Sequence, residues 1–155
     1  MNETRERPIG ATGYSYRQLD IWERSQVLAV RVITIARQLP RDPGMSVIAR
    51  QLVGSVGSIG ANIAEGHGRF SRAAYANHLS IAKGSASEVG SWLNLLRRLD
   101  QIPPDTESEL QTEIDSEIGL LKHKIRTLTA ADRDEKARTQ RNKPTSPQPE
   151  AMQVL

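Results

Sequence analysis

Cysteine is absent from the 155-residue chain, which excludes disulfides, thiolate metal sites and cysteine catalysis. The aromatic content is only 4%, which is low for a β-sandwich or for a platform on which bases stack. The longest uncharged run, from Gln51 to Ala64, has 14 residues and is rich in glycine and serine, whereas a membrane-spanning helix needs about 20 apolar residues. The N-terminus lacks the pattern of a basic start followed by an apolar stretch that marks a secretory signal. Together these features predict a soluble, cytoplasmic protein.

Composition divides the chain into three parts. Residues 1–15 contain little apolar surface and predict a flexible N-terminal arm, and residues 131–155 run into a proline-rich polar stretch that predicts a disordered tail. Between them, residues 16–130 carry apolar residues at helical spacing throughout. We therefore expect one helical domain between two tails.

Four amphipathic segments follow one another within residues 16–130. In the third, for example, apolar residues recur four and three positions apart from Tyr75 to Leu96. Ser71 is the expected N-cap of this helix, and Asp105 or Thr106 that of the fourth. Four such helices with short connections predict an all-α protein, an antiparallel up-down four-helix bundle.

The second segment is unusually rich in small residues. Gly54, Gly57 and Gly60 stand inside it, and each interior glycine costs about 1 kcal/mol of helix stability relative to alanine. Close approach of another helix would offset this cost, within the bundle or across a subunit boundary; a ligand site lined by backbone is the other interpretation. Because the small residues lie on several sides of the helix, we expect a multi-subunit assembly.

No residue pattern indicates catalysis, a metal or a cofactor. Glu65, Glu88 and Glu117 lack the histidine three positions later that ferritin-like metal sites require, and the three histidines show no ligand spacing. Glu65 and Glu88 are carboxylates that a catalytic pair would need, but nothing marks a pocket beside them, and the structural interpretation as polar partners is preferred. We expect a protein that is not an enzyme.

Charge is sorted along the chain. Residues 17–98 hold 11 basic and 5 acidic residues, whereas residues 99–118 hold 7 acidic and none basic. Arg17, Arg24 and Arg31 recur every seven residues and are expected on the outer face of the first helix. A row of arginines on a rigid helix suits contacts to phosphates. The nucleic-acid-binding residues predicted on this basis are Arg17, Arg24, Arg31, Arg69, Arg72 and Lys83.

Two other interpretations of the charge pattern stay open. The acidic start of the fourth helix is also the surface on which a protein-interaction scaffold would recruit a basic partner. Alternatively, acidic residues near the beginning of that helix and basic residues near its end stabilise its dipole without any partner.

Two motifs carry a family resemblance. Asn62-Ile-Ala-Glu65-Gly66 and the later Gly84-Ser85-Ala-Ser-Glu88 resemble, at this separation, the four-helix-bundle proteins encoded by intervening sequences of ribosomal RNA genes. The accessory variability determinant of diversity-generating retroelements belongs to the same superfamily. Lys83 departs from the pattern, since arginine is common before Gly-Ser.

The resemblance implies a homopentameric barrel of up-down bundles without known catalysis. For the retroelement branch it also implies binding of nucleic acid, RNA or DNA, and partnership with a reverse transcriptase; the motifs of this chain are more similar to the ribosomal branch. The residues assigned by motif position, with an architectural role expected for most, are Asn62, Glu65, Gly66, Gly84, Ser85 and Glu88.

Overall fold

The structure, a computed structural model, describes residues 15–142 as four α-helices preceded by one short 3-10 turn, Tyr16–Gln18. The helices are α1 (Asp20–Ala36), α2 (Pro43–His67), α3 (Arg72–Arg98) and α4 (Pro104–Arg141). No strand occurs in the described range. The predicted all-α class and the number of helices are therefore confirmed, and the expectations for residues 1–14 and 143–155 lie outside the described residues.

The core is formed by one apolar stripe from each helix. The third and fourth helices follow the predicted spacing most closely, with Leu79, Leu93, Ile114 and Leu121 fully buried. α3 packs against both α2 and α4, whereas α1 packs mainly on α2 and less on α4. The seam between α1 and α4 is thus the loosest helix pair, and polar side chains lie along it.

Two of the four α-helices begin at a residue whose side chain caps the helix. Asp42 caps α2 by accepting from the Met45 amide at 3.0 Å, with Pro43 next to it at a position where a missing N–H costs nothing. Ser71 caps α3 by accepting from the Ala74 amide at 3.1 Å, as predicted. The predicted cap of α4 was wrong, because that helix already begins at Pro104 without a side-chain cap.

The last helix continues past the boundary predicted at residue 130. Residues 131–141 are helical although they carry little apolar surface. Lys136 pairs with Asp132 at 2.7 Å one turn away, and Glu135 pairs with Arg72 at the start of α3. Ion pairs of this kind support a helix that buries little, which composition alone does not reveal.

The glycines of α2 lie on two different faces of the helix. A Cβ on Gly60 would lie 2.9 Å from the Ser25 hydroxyl of α1, and one on Gly66 would lie 2.8 Å from the Tyr75 ring of α3. These two glycines therefore allow close helix packing within the chain, as one of the two interpretations predicts. A Cβ on Gly54 or Gly57 would meet nothing within 4 Å. That face of α2 is open in the single chain.

None of the helices in residues 15–142 combines the length and apolar character needed to cross a bilayer.

Candidate nucleic-acid interface

The arginine row on α1 faces another helix. Arg24 donates to the Ser116 hydroxyl at 2.7 Å, and Arg31 pairs with Glu109 at 3.1 Å and with Glu113. Both arginines remain partly exposed, but they contact α4 and do not point away from the bundle. The predicted outer position was wrong for these two residues, because the buried line of α1 runs through Ser25 and the neighbouring core positions next to them.

This pairing explains part of the charge sorting. The acidic first half of α4 lies beside the basic face of α1, so that opposite charges meet inside one chain. Partly exposed pairs of this kind contribute about 0–1 kcal/mol each to stability. They also reduce the charge that either surface offers to a partner.

The remaining predicted binding residues lie in separate places. Arg69 pairs with Glu65, and its Nε donates to the His78 ring at 3.0 Å, whereas Arg72 pairs with Glu135. Arg17 lies in the 3-10 turn before α1 and not on that helix as predicted, with its guanidinium carbon 5.7 Å from the centre of the Tyr16 ring. Lys83 lies half-buried on α3. The structure does not bring the six predicted residues into one patch.

A second group of cations lies around the α1–α2 turn. Arg37 and Arg50 line an open groove of about 420 Å³ whose floor is apolar and includes Ala36, Val53 and Gly54. Both arginines are exposed, and neither forms an ion pair or side-chain hydrogen bond with the part of the chain that is described. We call this the Arg37–Arg50 groove. The sequence analysis did not predict this pair, because only the turn between α1 and α2 brings Arg37 and Arg50 together.

The motif residues meet along the seam between α2 and α3. The Asn62 amide donates to the Ser58 carbonyl at 2.9 Å, and its oxygen lies 3.3 Å from Nδ1 of His78. The Ser85 hydroxyl lies 3.0 Å from that of Ser58. Two short motifs that are distant in sequence thus form one polar seam.

The other motif residues have distinct surroundings. Glu65 contacts Arg69 and lies 3.9 Å from His78, next to the closely packed Gly66. Glu88 accepts from the Trp92 indole at 3.2 Å on its own helix. Gly84 has open space where a side chain would be.

One buried charge was not anticipated. Glu117 is 2% exposed, and neither carboxylate oxygen has a hydrogen-bond partner within residues 15–142. Burial raises the pKa of Glu117 to about 7, although Arg24 lowers it and Asp20 raises it further. The signal was present in the spacing, because Glu117 follows Leu110 and Ile114 at steps of four and three and precedes Leu121 by four.

Glu117 also lines a cavity of about 270 Å³ between α1 and α4. We call it the Glu117 cavity; its walls are formed by Glu23, Arg24, Val27, Leu28, Arg31, Glu113 and Glu117. No group of three or more histidine, aspartate or glutamate side chains suited to a metal ion occurs in the described range.

Comparison with known proteins identifies the family. Residues 17–123 match the model of the 23S rRNA-intervening sequence protein family. The chain belongs to this family. The match contains both motifs of the α2–α3 seam and therefore confirms the resemblance, whereas the last part of α4 lies beyond it.

A solved protein structure from a family with a related name has a similar fold. It is a protein of unknown function from the S23 ribosomal protein family of Bacteroides thetaiotaomicron, 31% identical in sequence, with a TM-score of 0.64. The similarity covers 68% of this chain and 97% of that one. A comparison with curated proteins gave no match.

Proposed function

We propose that this intervening sequence protein is a non-enzymatic, homo-oligomeric accessory protein of the cytoplasm that binds structured RNA through phosphate contacts. Membership of a family named for an intervening sequence of 23S rRNA carries the proposal. The exposed arginines of the Arg37–Arg50 groove supply the charge that phosphate contacts need. The test below includes a DNA duplex, so that it distinguishes RNA binding from DNA binding.

The antiparallel arrangement of the helices and the assembly of several chains are both part of the same proposal. Arg31, late in α1, pairs with Glu109, early in α4, and Arg72, at the start of α3, pairs with Glu135, late in α4; both pairs support antiparallel neighbours. The open face of α2 at Gly57, one turn beyond the part of the helix that lines the groove, supports packing against a second protomer. A pentamer follows from the family resemblance. Repetition around a ring multiplies the phosphate contacts and so increases avidity.

The phosphate-binding surface is best assigned to the Arg37–Arg50 groove. Four of the six residues predicted from sequence already form ion pairs within the chain: Arg24, Arg31, Arg69 and Arg72. Binding phosphate there would require these pairs to break. Arg37 and Arg50 incur no such cost, and Arg41 lies exposed in the adjoining turn.

Salt-dependent binding tests this assignment. We expect the protein to bind an RNA stem-loop more tightly at about 50 than at about 200 mM salt. In a plot of log affinity against log salt concentration, the slope should be negative, with a magnitude of about 0.7–0.9 for each phosphate contact. Replacing Arg37 and Arg50 by glutamine removes two contacts and should reduce the magnitude of that slope by about 1.4–1.8 for each protomer in contact. Fluorescence anisotropy measures both quantities.

A matched pair of charges on the far part of α4 serves as the control. The double variant Arg133→Gln and Arg138→Gln removes the same charge from exposed positions beyond the family match and should keep its RNA affinity. A matched DNA duplex shows whether RNA is preferred. Salt-independent binding, or equal losses in the two double variants, would contradict the proposed groove.

The alternative, a scaffold that recruits a basic protein through the start of α4, has less support. Glu109 and Glu113 already pair with Arg31, so part of the acidic surface is neutralised within the chain. A reverse transcriptase partner rests on the retroelement branch of the superfamily alone. A pull-down with a purified reverse transcriptase tests for a protein partner, and retention of RNA by the same protein tests for a nucleic-acid partner. Comparing the two experiments separates the two kinds of partner.

A further inference from the structure

The carboxylate of Glu117 is buried beside one arginine but without a hydrogen-bond donor among the described residues. Its side chain is 3% exposed, and the nearest cation atom, Nε of Arg24, lies 3.8 Å from Oε2. That distance is too long for a hydrogen bond. The Arg24 guanidinium instead donates to Ser116 at 2.7 Å. Both carboxylate oxygens therefore lack a hydrogen-bond donor within the described residues, and each exposes less than 1 Å² of surface, so a further donor reaches them only when the side chain turns towards open space.

The adjoining cavity offers room for such a donor. Its volume of about 270 Å³ is several times the volume of about 30 Å³ that one water occupies in the liquid, but it is at the small end for ligand sites. It opens to solvent between α1 and α4, where Val27 is half exposed. A small ligand with only a few heavy atoms fits these dimensions.

The charge of the walls favours a monocation. Glu23, Glu113 and Glu117 contribute three negative charges when ionised, and Arg24 and Arg31 contribute two positive charges. Asp20 adds a further negative field at Glu117. An anion would meet the buried carboxylate, whereas one positive charge neutralises the lining.

The shape of the site also restricts the kind of cation. Val27 and Leu28 give the cavity an apolar wall that suits an alkyl chain. A metal ion fits poorly, because the part of the chain that is described holds no cluster of three metal-ligating side chains. An ammonium head with an alkyl body meets both requirements.

We propose that the Glu117 cavity binds a short primary alkylammonium ion, whose alkyl chain lies against Val27 and Leu28 and whose head donates to the Glu117 carboxylate after this side chain rotates into the cavity that it lines. This site is independent of the proposed RNA surface, since the Arg37–Arg50 groove shares no residue with it.

Titration of the full chain with n-butylammonium chloride, followed by calorimetry or NMR, tests the site. We expect saturable binding at pH 8 that is about tenfold weaker at pH 6, because the fraction of ionised Glu117 falls about tenfold between these values. Tetramethylammonium has the charge without N–H donors, and 1-butanol has the chain without the charge; both should bind at least tenfold more weakly.

Variants separate the site from general charge effects. Glu117→Gln should weaken n-butylammonium binding at least tenfold, whereas Asp115→Asn, which removes an exposed charge from the same helix, should leave it unchanged. Val27→Trp keeps the carboxylate and fills the mouth of the cavity, and it should also abolish binding. Thermal melts confirm that each variant is folded. No saturable binding at pH 8, or equal binding by Glu117→Gln, would overturn the proposal.

Discussion

Glu117 occupies a position that its helix otherwise fills with leucine and isoleucine. Burial of the carboxylate raises its pKa from 4.5 to about 7, because the charged form loses its hydration. A difference of this size between the unfolded and folded chain corresponds to about 3 kcal/mol of stability lost on ionisation. The loss starts as the pH rises above 4.5 and is complete above about 7.

We predict that Glu117→Gln removes this pH dependence. At pH 8 the variant should be more stable than the parent chain by up to about 3 kcal/mol, and at pH 5 the difference should be small, because Glu117 is then mostly protonated. Urea denaturation at both pH values, at a fixed protomer concentration, measures the difference. A constant offset between the two proteins from pH 5 to 8 would mean that Glu117 does not titrate in this range.

At the scale of the helix, the end of α3 is set by a residue in a conformation that favours glycine. Asp100 has a φ of 53°, and its amide donates to the Arg97 carbonyl at 3.1 Å. The Gln101 amide donates to the Leu96 carbonyl at 2.9 Å. These two bonds form a Schellman motif, which ends the helix and directs the chain towards the prolines before α4.

Asp100→Gly should therefore stabilise the protein. Glycine adopts this conformation without the steric cost that a Cβ brings, and we expect a gain of about 0.5–1 kcal/mol. Chemical denaturation of the two proteins measures it. As a comparison, Asp115→Gly lies inside α4 and should destabilise the chain by roughly 0.3 kcal/mol, the difference in helix propensity between the two residues. Destabilisation by both substitutions would show that the Asp100 side chain contributes more than its backbone strain costs.

For the molecule as a whole, the distribution of small residues on α2 separates folding from assembly. Gly60 is enclosed by side chains of α1, whereas Gly57 faces open space in the single chain. A glycine that allows no contact within its own protomer loses helix stability without compensation there. Packing of a second protomer on this face would supply the compensation, as the proposed oligomer requires.

Gly57→Leu should reduce the assembly to single chains while leaving each chain folded. A Cβ at this position meets nothing within 4 Å in the protomer, so a side chain there extends from the open face and would separate two packed subunits. Light scattering gives the mass, and circular dichroism gives the helix content. Gly119→Leu is the matched control, because this glycine of α4 is equally open and the mass should not change.

Gly60→Leu gives the opposite result, since it should unfold the chain by separating α1 from α2. Leucine is a better helix former than glycine by about 1 kcal/mol. If the Gly57→Leu variant keeps the parent mass and is more stable by that amount, the open face is not a subunit interface.

Helical periodicity was sufficient to predict the class, the number of helices and most of the core. Apolar residues such as Leu79, Leu93 and Leu121 recur at a spacing that only a helix turns into one buried face. The N-cap at Ser71 was equally predictable, because its hydrogen bond spans only three residues. The extension of α4 through residue 141 was not, since few apolar residues mark it.

The candidate sites depended on contacts between helices, which spacing along one helix does not specify. Heptad spacing placed Arg24 and Arg31 on one face of α1, but only the packing of α4 beside that face turned them into partners of Ser116, Glu109 and Glu113. Packing likewise brought Arg50 next to Arg37 and enclosed Glu117 beside a cavity. The sequence of one helix determines which of its faces is apolar, because the spacing is local. Which neighbouring helix contacts the polar residues beside that face depends on the packing of all four helices.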